Sequence, residues 1–235
     1  MFWYDVCNSG MPRVCAGNQR LTGRSIATVG DAPQGLFALR QALADYLGRA
    51  RGIVADAGQI VIVNGSQQAI DISARLLLKP GDGVVLEEPG YVVARKAFEA
   101  LGAKLIPARV DANGLNIRVV SSRFPKPKLV YFTPSHQFPT GAVMPANRRF
   151  ELLDWAEKHN TFLLEDDYDG EFRYLGRPIE AVQSLDKRNR VIYAGTASKT
   201  LSPTLRLGFV VAYLREVGAP CVSQAGAAPG LPQLG

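Results

Sequence analysis

The sequence predicts an α/β fold, with three layers (α/β/α) around a mostly parallel sheet. Three observations carry this reading. Short apolar runs rich in Val, Ile and Leu recur along the chain, as in strands covered on both faces. Longer stretches with apolar residues at spacings of three and four separate them. Polar clusters follow most of the short runs, and in such folds ligands sit beyond the carboxyl ends of the strands.

Each element follows from its own residues. Gly30 to Gly35 is a turn, and Leu36, Leu39, Leu43, Tyr46 and Leu47 then recur at helical spacing, with a stop near Gly52. Ile60 to Val63 reads as a buried strand. Asn64-Gly65-Ser66 turns into a second helix through Ala69, Ile70, Ala74 and Leu77, ended by Pro80 to Gly83. Val84 to Leu86 is a strand, followed by Glu87 to Tyr91 and a helix carrying Val92, Ala97, Phe98 and Leu101. Lys104 to Pro107 is a strand, and residues 109 to 127 read as loop. Leu129 to Phe132 is a strand running into Thr133 to Gly141, and Ala146 to His159 is a helix. Phe162 to Leu164 and Val191 to Ala194 are strands leading into Glu165 to Asp169 and Gly195 to Lys199. Leu207 to Tyr213 makes a last strand.

Composition narrows the function classes. The 235 residues are 47% apolar and 20% charged, which excludes a disordered or fibrous chain and allows one sizeable core. The net charge of +6 is spread along the chain, whereas nucleic-acid domains cluster Lys and Arg on one face. The pairs Arg148-Arg149 and Lys187-Arg188 read as solvated surface. Cys7, Cys15 and Cys221 read as reduced thiols, with neither a disulfide framework nor a metal site. No signal peptide and no membrane span are expected, which predicts a cytoplasmic protein.

The clusters after the strands carry the candidate chemistry. Lys199 is a surface lysine on the plainest reading. In a dry pocket, however, a lysine loses its charge and attacks carbonyls. Thr196 three residues before it and Arg206 seven after it supply the hydroxyl and guanidinium that a phosphorylated aldehyde needs beside a Schiff-base lysine. Glu165, Asp166, Asp167 and Asp169 fit an exposed turn or a cation site. The alternative is a carboxylate holding a pyridinium proton, with the Tyr168 phenol nearby. Asn64-Gly65-Ser66-Gln67 begins a helix, so it is either an ordinary cap or an anion site made of free N–H groups and the helix dipole. Tyr91 packs in the core or stacks on a planar ligand.

Together these stretches resemble the fold-type I pyridoxal-phosphate aminotransferases, and above all the aminotransferase-like domain of MocR-type (GntR superfamily) transcription regulators. The motifs are Gly30-Asp31-x-x-x-Gly35-Leu36, Asn64-Gly65-Ser66-Gln67-Gln68-Ala69, Glu88-Pro89-Gly90-Tyr91, Thr133-Pro134-Ser135-His136-Gln137-Phe138-Pro139-Thr140-Gly141, Glu165-Asp166-Asp167-Tyr168-Asp169-Gly170-Glu171-Phe172-Arg173-Tyr174, and Ser198-Lys199-Thr200-Leu201 with Leu205-Arg206-Leu207-Gly208. The resemblance implies pyridoxal 5'-phosphate as cofactor, held covalently by Lys199. It implies that Asp166 pairs with the pyridine nitrogen, Tyr168 bonds the ring oxygen and Tyr91 stacks on the ring. Gly65, Ser66 and Gln67, with Thr196, Ser198 and Arg206, would surround the phosphate. Either His136 or Gln137 would supply a further polar contact to the ring, while Asp167 and Asp169 are structural.

The resemblance covers roughly residues 30 to 213. It therefore implies an irregular arm over 1–29, a cofactor-binding large domain over 30–214 and a disordered tail over 215–235. The winged-helix and small C-terminal domains of the family are expected to be absent, as in a truncated gene product. Three functions follow. One is a cofactor-binding, ligand-sensing domain derived from a regulator. Another is an active aminotransferase acting on an amino acid, and the third is an inactive remnant. An amino acid or amine is the expected ligand, a homodimer the expected assembly, and no DNA binding is expected of this chain alone.

Overall fold

In a computed structural model of the chain, residues 33–120, 127–169, 180–196 and 206–213 are described. The arm over 1–29, the tail over 215–235, the three cysteines, Ser198 and Lys199 lie outside them. Apart from Pro33, the described residues belong to one unit, Gln34–Gly235.

The elements alternate as the pattern predicts. Helix α1 (Phe37–Arg51) ends at Gly52, whose φ of 70° is the left-handed cap that a residue without Cβ adopts freely. Strand β1 is Ile60–Val63 and helix α2 is Gly65–Leu77. Strand β2 (Gly83–Glu88), helix α3 (Val92–Ala100) and strand β3 (Lys104–Asp111) follow. Next come β4 (Gly114–Leu115), β5 (Pro127–Phe132), α4 (Ala146–His159) and β6 (Phe162–Asp167). The short helix α5 (Val182–Leu185), β7 (Val191–Thr196) and β8 (Gly208–Val211) complete the set.

The strands form one sheet in the order β1-β8-β7-β6-β5-β2-β3-β4. Strands β7, β6, β5, β2 and β3 are mutually parallel, and β8 runs antiparallel to both β1 and β7. The sheet is thus mostly parallel, and the carboxyl ends of β1, β2, β5, β6 and β7 share one rim. The start of β8 reaches the same rim because that strand runs the other way.

Alternation along the strands separates the layers. Val61, Leu129, Tyr131, Leu164, Ile192 and Val210 face α2 and α3, burying Ala69, Ile70, Ala74 and Phe98. Val130, Phe132, Leu163 and Val191 face the other way, onto Leu152 and Ala156 of α4 and Val182 of α5. Ile60, Tyr193, Phe209 and Val211 continue that second face under Leu43 and Leu47 of α1. Helices on both faces make the three-layer α/β/α arrangement.

Two readings change. Residues 109 to 127 are not simply loop: β3 runs on to Asp111 and turns back through β4, pairing Val110 with Leu115. The expected strand ended at Pro107. At that position, though, β3 is paired only with β2, and a proline is tolerated beside an open edge. Arg149 is not solvated surface. It is fully buried, and its guanidinium donates to the carbonyls of Met144, Glu180 and Pro134 at 2.9, 2.7 and 3.2 Å. Three backbone acceptors, with the Glu165 charge nearby, make a buried cation tolerable.

One glycine positions the rim directly. A Cβ on Gly208 would lie 2.7 Å from the carbonyl carbon and Cα of Gly65, so β8 can approach the start of α2 only without a side chain there. Gly208→Ala is expected to cost about 1–3 kcal/mol, as overpacking against rigid backbone does. A urea-denaturation midpoint measures this, and an unchanged midpoint would show that the rim can part at no cost.

Candidate cofactor site

The rim encloses a cavity of about 180 Å³ lined by Ser66, Tyr91, Tyr131, Thr133, Phe138, Asp166 and Tyr168. For scale, a cavity of roughly 150 Å³ accommodates one benzene ring. Every described stretch with a candidate role ends here or beside it.

The carboxylate run on β6 is sorted by strand geometry. Asp166 shares the parity of Leu164 and so faces α2 and α3, where the buried Tyr131 hydroxyl donates to its Oδ2 at 2.7 Å. Glu165 and Asp167 share the parity of Leu163 and point to the opposite face. There Glu165 accepts from the backbone N–H groups of Val182 and Gln183 at 3.0 and 2.9 Å. Asp167 forms a buried ion pair with Arg51 and accepts from the Tyr193 hydroxyl. The repulsion expected of adjacent carboxylates is therefore met by separate partners on two faces. Only Asp166 lines the cavity.

Electrostatics keep the phenols protonated. Burial, and then the nearby Asp169 and Asp166 charges, push Tyr168 up to about 12. Burial and Asp166 hold Tyr131 well above its ordinary range. Both hydroxyls are thus donors near a carboxylate. Tyr91, Phe138 and Tyr168 form an edge-to-face series, with ring centroids 5.7 and 6.2 Å apart.

The second part of the rim lies where α2 meets β8. Asn64 makes no side-chain cap, and the backbone of Gly65 and Ser66 opens α2. Gln67 buries an Oε1 that has no hydrogen-bond partner among the described residues. Thr196 pairs in register with Gly208 and donates its hydroxyl to the Leu207 carbonyl at 3.1 Å. The Arg206 carbonyl oxygen would lie 3.7 Å from a Cβ built on Gly65, and the Arg206 side chain is exposed.

The sequence-derived residues thus divide. Ser66, Tyr91, Asp166 and Tyr168 line the cavity, while Gly65 and Gln67 flank Ser66 in the first turn of α2 and Thr196 pairs with Gly208, which packs on Gly65. Neither His136 nor Gln137 lines it. His136 pairs with Asp169 at 3.1 Å, and its ring lies 6.3 Å from that of Tyr168. Gln137 is buried and binds Glu87, Pro89 and Phe138. Tyr131, Thr133 and Phe138 are cavity residues that no role was predicted for. Tyr131 was detectable, since alternation puts it on the same face as Asp166 once β5 and β6 are neighbours. Among the described residues, no group of three or more His, Cys, Asp or Glu could hold a metal ion, and no helix is long and apolar enough to cross a membrane.

The three-layer fold thus carries an acid, a phenol and an aromatic ring at the carboxyl rim of its sheet, beside a helix start that Asn64 does not cap. Residues 6–225 match the model of the family described as aminotransferase class I and II, and the chain belongs to that family. It is 45% identical over 173 residues to the probable rhizopine catabolism regulatory protein MocR of Rhizobium meliloti, covering 74% of this chain and 35% of that protein. It is 34% identical over 186 residues to aromatic-amino-acid aminotransferase 1 of Thermococcus litoralis, covering 76% of this chain and 45% of that enzyme. The solved kynurenine aminotransferase of Pyrococcus horikoshii, in complex with PMP, superposes with a TM-score of 0.75 at 36% identity, over 80% of this chain and 48% of that one. The chain spans 35 to 39% of the length of the three regulators that it matches at 44 to 46% identity. It is an aminotransferase class I and II domain with MocR-type regulator relatives, and pyridoxal phosphate is the cofactor indicated for that family.

Proposed function

We propose that this cavity is the pyridoxal 5'-phosphate site of a ligand-sensing, aminotransferase-like domain of MocR regulator type, spanning residues 30–214. The observation that carries the reading is the isolation of Asp166 from its two neighbouring carboxylates, facing a cavity wide enough for one ring. The residues fit the group. A buried carboxylate suits a protonated ring nitrogen, a protonated phenol suits a ring oxygen, and an uncapped helix start suits a phosphate.

Bound pyridoxal phosphate supplies a carbonyl that captures amines and a ring that withdraws electrons when its nitrogen is protonated. The chain's residues do the rest. Asp166, held by Tyr131, would keep the proton on the ring nitrogen. Tyr168 would donate to the ring oxygen, and Tyr91 would stack on the ring. Gly65, Ser66 and Gln67, with Thr196, Ser198 and Arg206, bind the phosphate. Lys199 is the covalent anchor and holds or releases a proton at Nζ. An amino acid or amine is the ligand, a homodimer the assembly and the cytoplasm the location. Turnover as an aminotransferase is the second reading, favoured by the 34–36% identity to enzymes of that activity.

The test is borohydride reduction of the chain equilibrated with pyridoxal phosphate, followed by peptide mapping. Stoichiometric label on Lys199 is the expected result. Label scattered over several lysines would contradict the reading. Half-transamination by an amino acid then separates enzyme from sensor.

A further inference from the structure

Glu87 is a buried carboxylate to which none of these roles gives a task. It is the penultimate residue of β2 and lies 2% exposed beneath the loop that follows β5. Three donors converge on it: Thr133 N–H at 3.2 Å, the Thr133 hydroxyl at 2.6 Å and Gln137 Nε2 at 3.1 Å. Those two residues in turn hold the rest of the loop. The Phe138 N–H donates to Thr133 Oγ1 at 3.2 Å. The Thr140 N–H and hydroxyl donate to Gln137 Oε1 at 3.0 and 2.6 Å. The two hydrogens of Gln137 Nε2 are shared among Glu87 and the carbonyls of Pro89 and Phe138, tying the loop to the turn after β2. Thr133 and Phe138 are cavity walls.

We propose that Glu87 is a positioning residue whose carboxylate holds residues 133–141, and with them the Phe138 wall of the cavity, so that protonation of this one group loosens the wall. The chemistry is a matter of lone pairs. An ionised carboxylate accepts all three hydrogen bonds, and bonds to a charged acceptor are the strong ones. A neutral acid carries a hydrogen of its own and offers the three donors fewer and weaker acceptor sites. The inference rests on the cofactor-site reading only for what the wall encloses.

Burial pushes Glu87 up to about 7, against the opposing pull of its bonds from Thr133 and Gln137, and Asp166 adds to the rise. The ionisable groups coupled to it are Asp166 on β6, Tyr131 on β5 and Tyr168 after β6, while the neighbouring Glu88 pairs with Arg95 on the exposed side. The sign can be worked through. The folded domain holds this proton up to about 7, whereas an unfolded chain releases it near 4.5. Global stability from this group is therefore present below about 4.5 and declines as pH rises to about 7. The loop tightens as the same proton leaves. Local order and global stability thus move in opposite directions, which an inert buried acid would not produce.

The test is hydrogen exchange at the Phe138 and Thr140 amides of the cofactor-free full chain across neutral pH, expressed as protection over the intrinsic rate. Protection is expected to rise about tenfold as Glu87 ionises, the effect of one regained bond to a charged group. It should stay flat in Glu87→Gln, which matches the shape without the charge. Thr133→Ser should keep the rise and Thr133→Val should lose it at Phe138. Flat protection in the unaltered chain, or the same rise in Glu87→Gln, would overturn the proposal. Because no cofactor is present, either result is independent of whether Lys199 takes the label.

Discussion

Arg51→Met is expected to destabilise the domain by about 3–5 kcal/mol, the usual consequence of leaving one member of a buried ion pair without its partner. Arg51 sits in the last turn of α1 and is 3% exposed. Its guanidinium pairs with Asp167 and donates to Ser135 Oγ at 2.7 Å. Without it, Asp167 keeps the Tyr193 hydroxyl but has no positive charge beside it in a dry interior. The pair itself need not be stabilising, since desolvating both charges offsets most of their attraction. The double change Arg51→Met with Asp167→Leu should therefore recover most of the loss. Denaturant midpoints of the two variants check both statements. A single-variant loss below about 1 kcal/mol would mean that water or Tyr193 already satisfies Asp167.

Asp166→Asn should leave the fold nearly intact and weaken pyridoxal phosphate binding about ten- to a hundredfold. Asparagine matches the shape of aspartate, and its carbonyl can still accept from Tyr131. What disappears is the negative charge facing the cavity. A charge-assisted hydrogen bond contributes about 1.5–3 kcal/mol, which sets the size of the effect. Equilibrium dialysis of the cofactor measures it, with circular dichroism as the check on folding. Unchanged affinity would mean that the ring nitrogen binds elsewhere.

The fold was legible because its signals are local. The apolar run Ile60–Val63 and the spacing of Leu43, Tyr46 and Leu47 each determine an element without reference to the rest of the chain. The end of β3 was not legible, because its last residues are held by pairing with the two-residue strand β4, which carries no apolar run of its own. The burial of Arg149 was likewise hidden. Three carbonyls from distant segments make it possible, and no window of sequence contains them. At the site, motif residues such as Asp166 and Tyr168 were readable as types, but their sorting was not. Which acid of Glu165-Asp166-Asp167 faces the cavity depends on strand parity and on which helices cover each face. Glu87 was passed over for the same reason, since its partners lie 46 and 50 residues away. His136 and Gln137 lie in the loop that supplies Thr133 and Phe138 to the cavity, and neither is among the lining residues.

The central claim is that Asp166, alone of its run, faces the ring nitrogen of bound pyridoxal phosphate. The ¹⁵N chemical shift of ring-labelled cofactor on the intact chain, at mildly alkaline pH, reads that contact directly. A pyridinium shift in the unaltered chain that reverts to neutral pyridine in Asp166→Asn is the predicted result. A neutral nitrogen in the unaltered chain, or a pyridinium that survives the substitution, would contradict it.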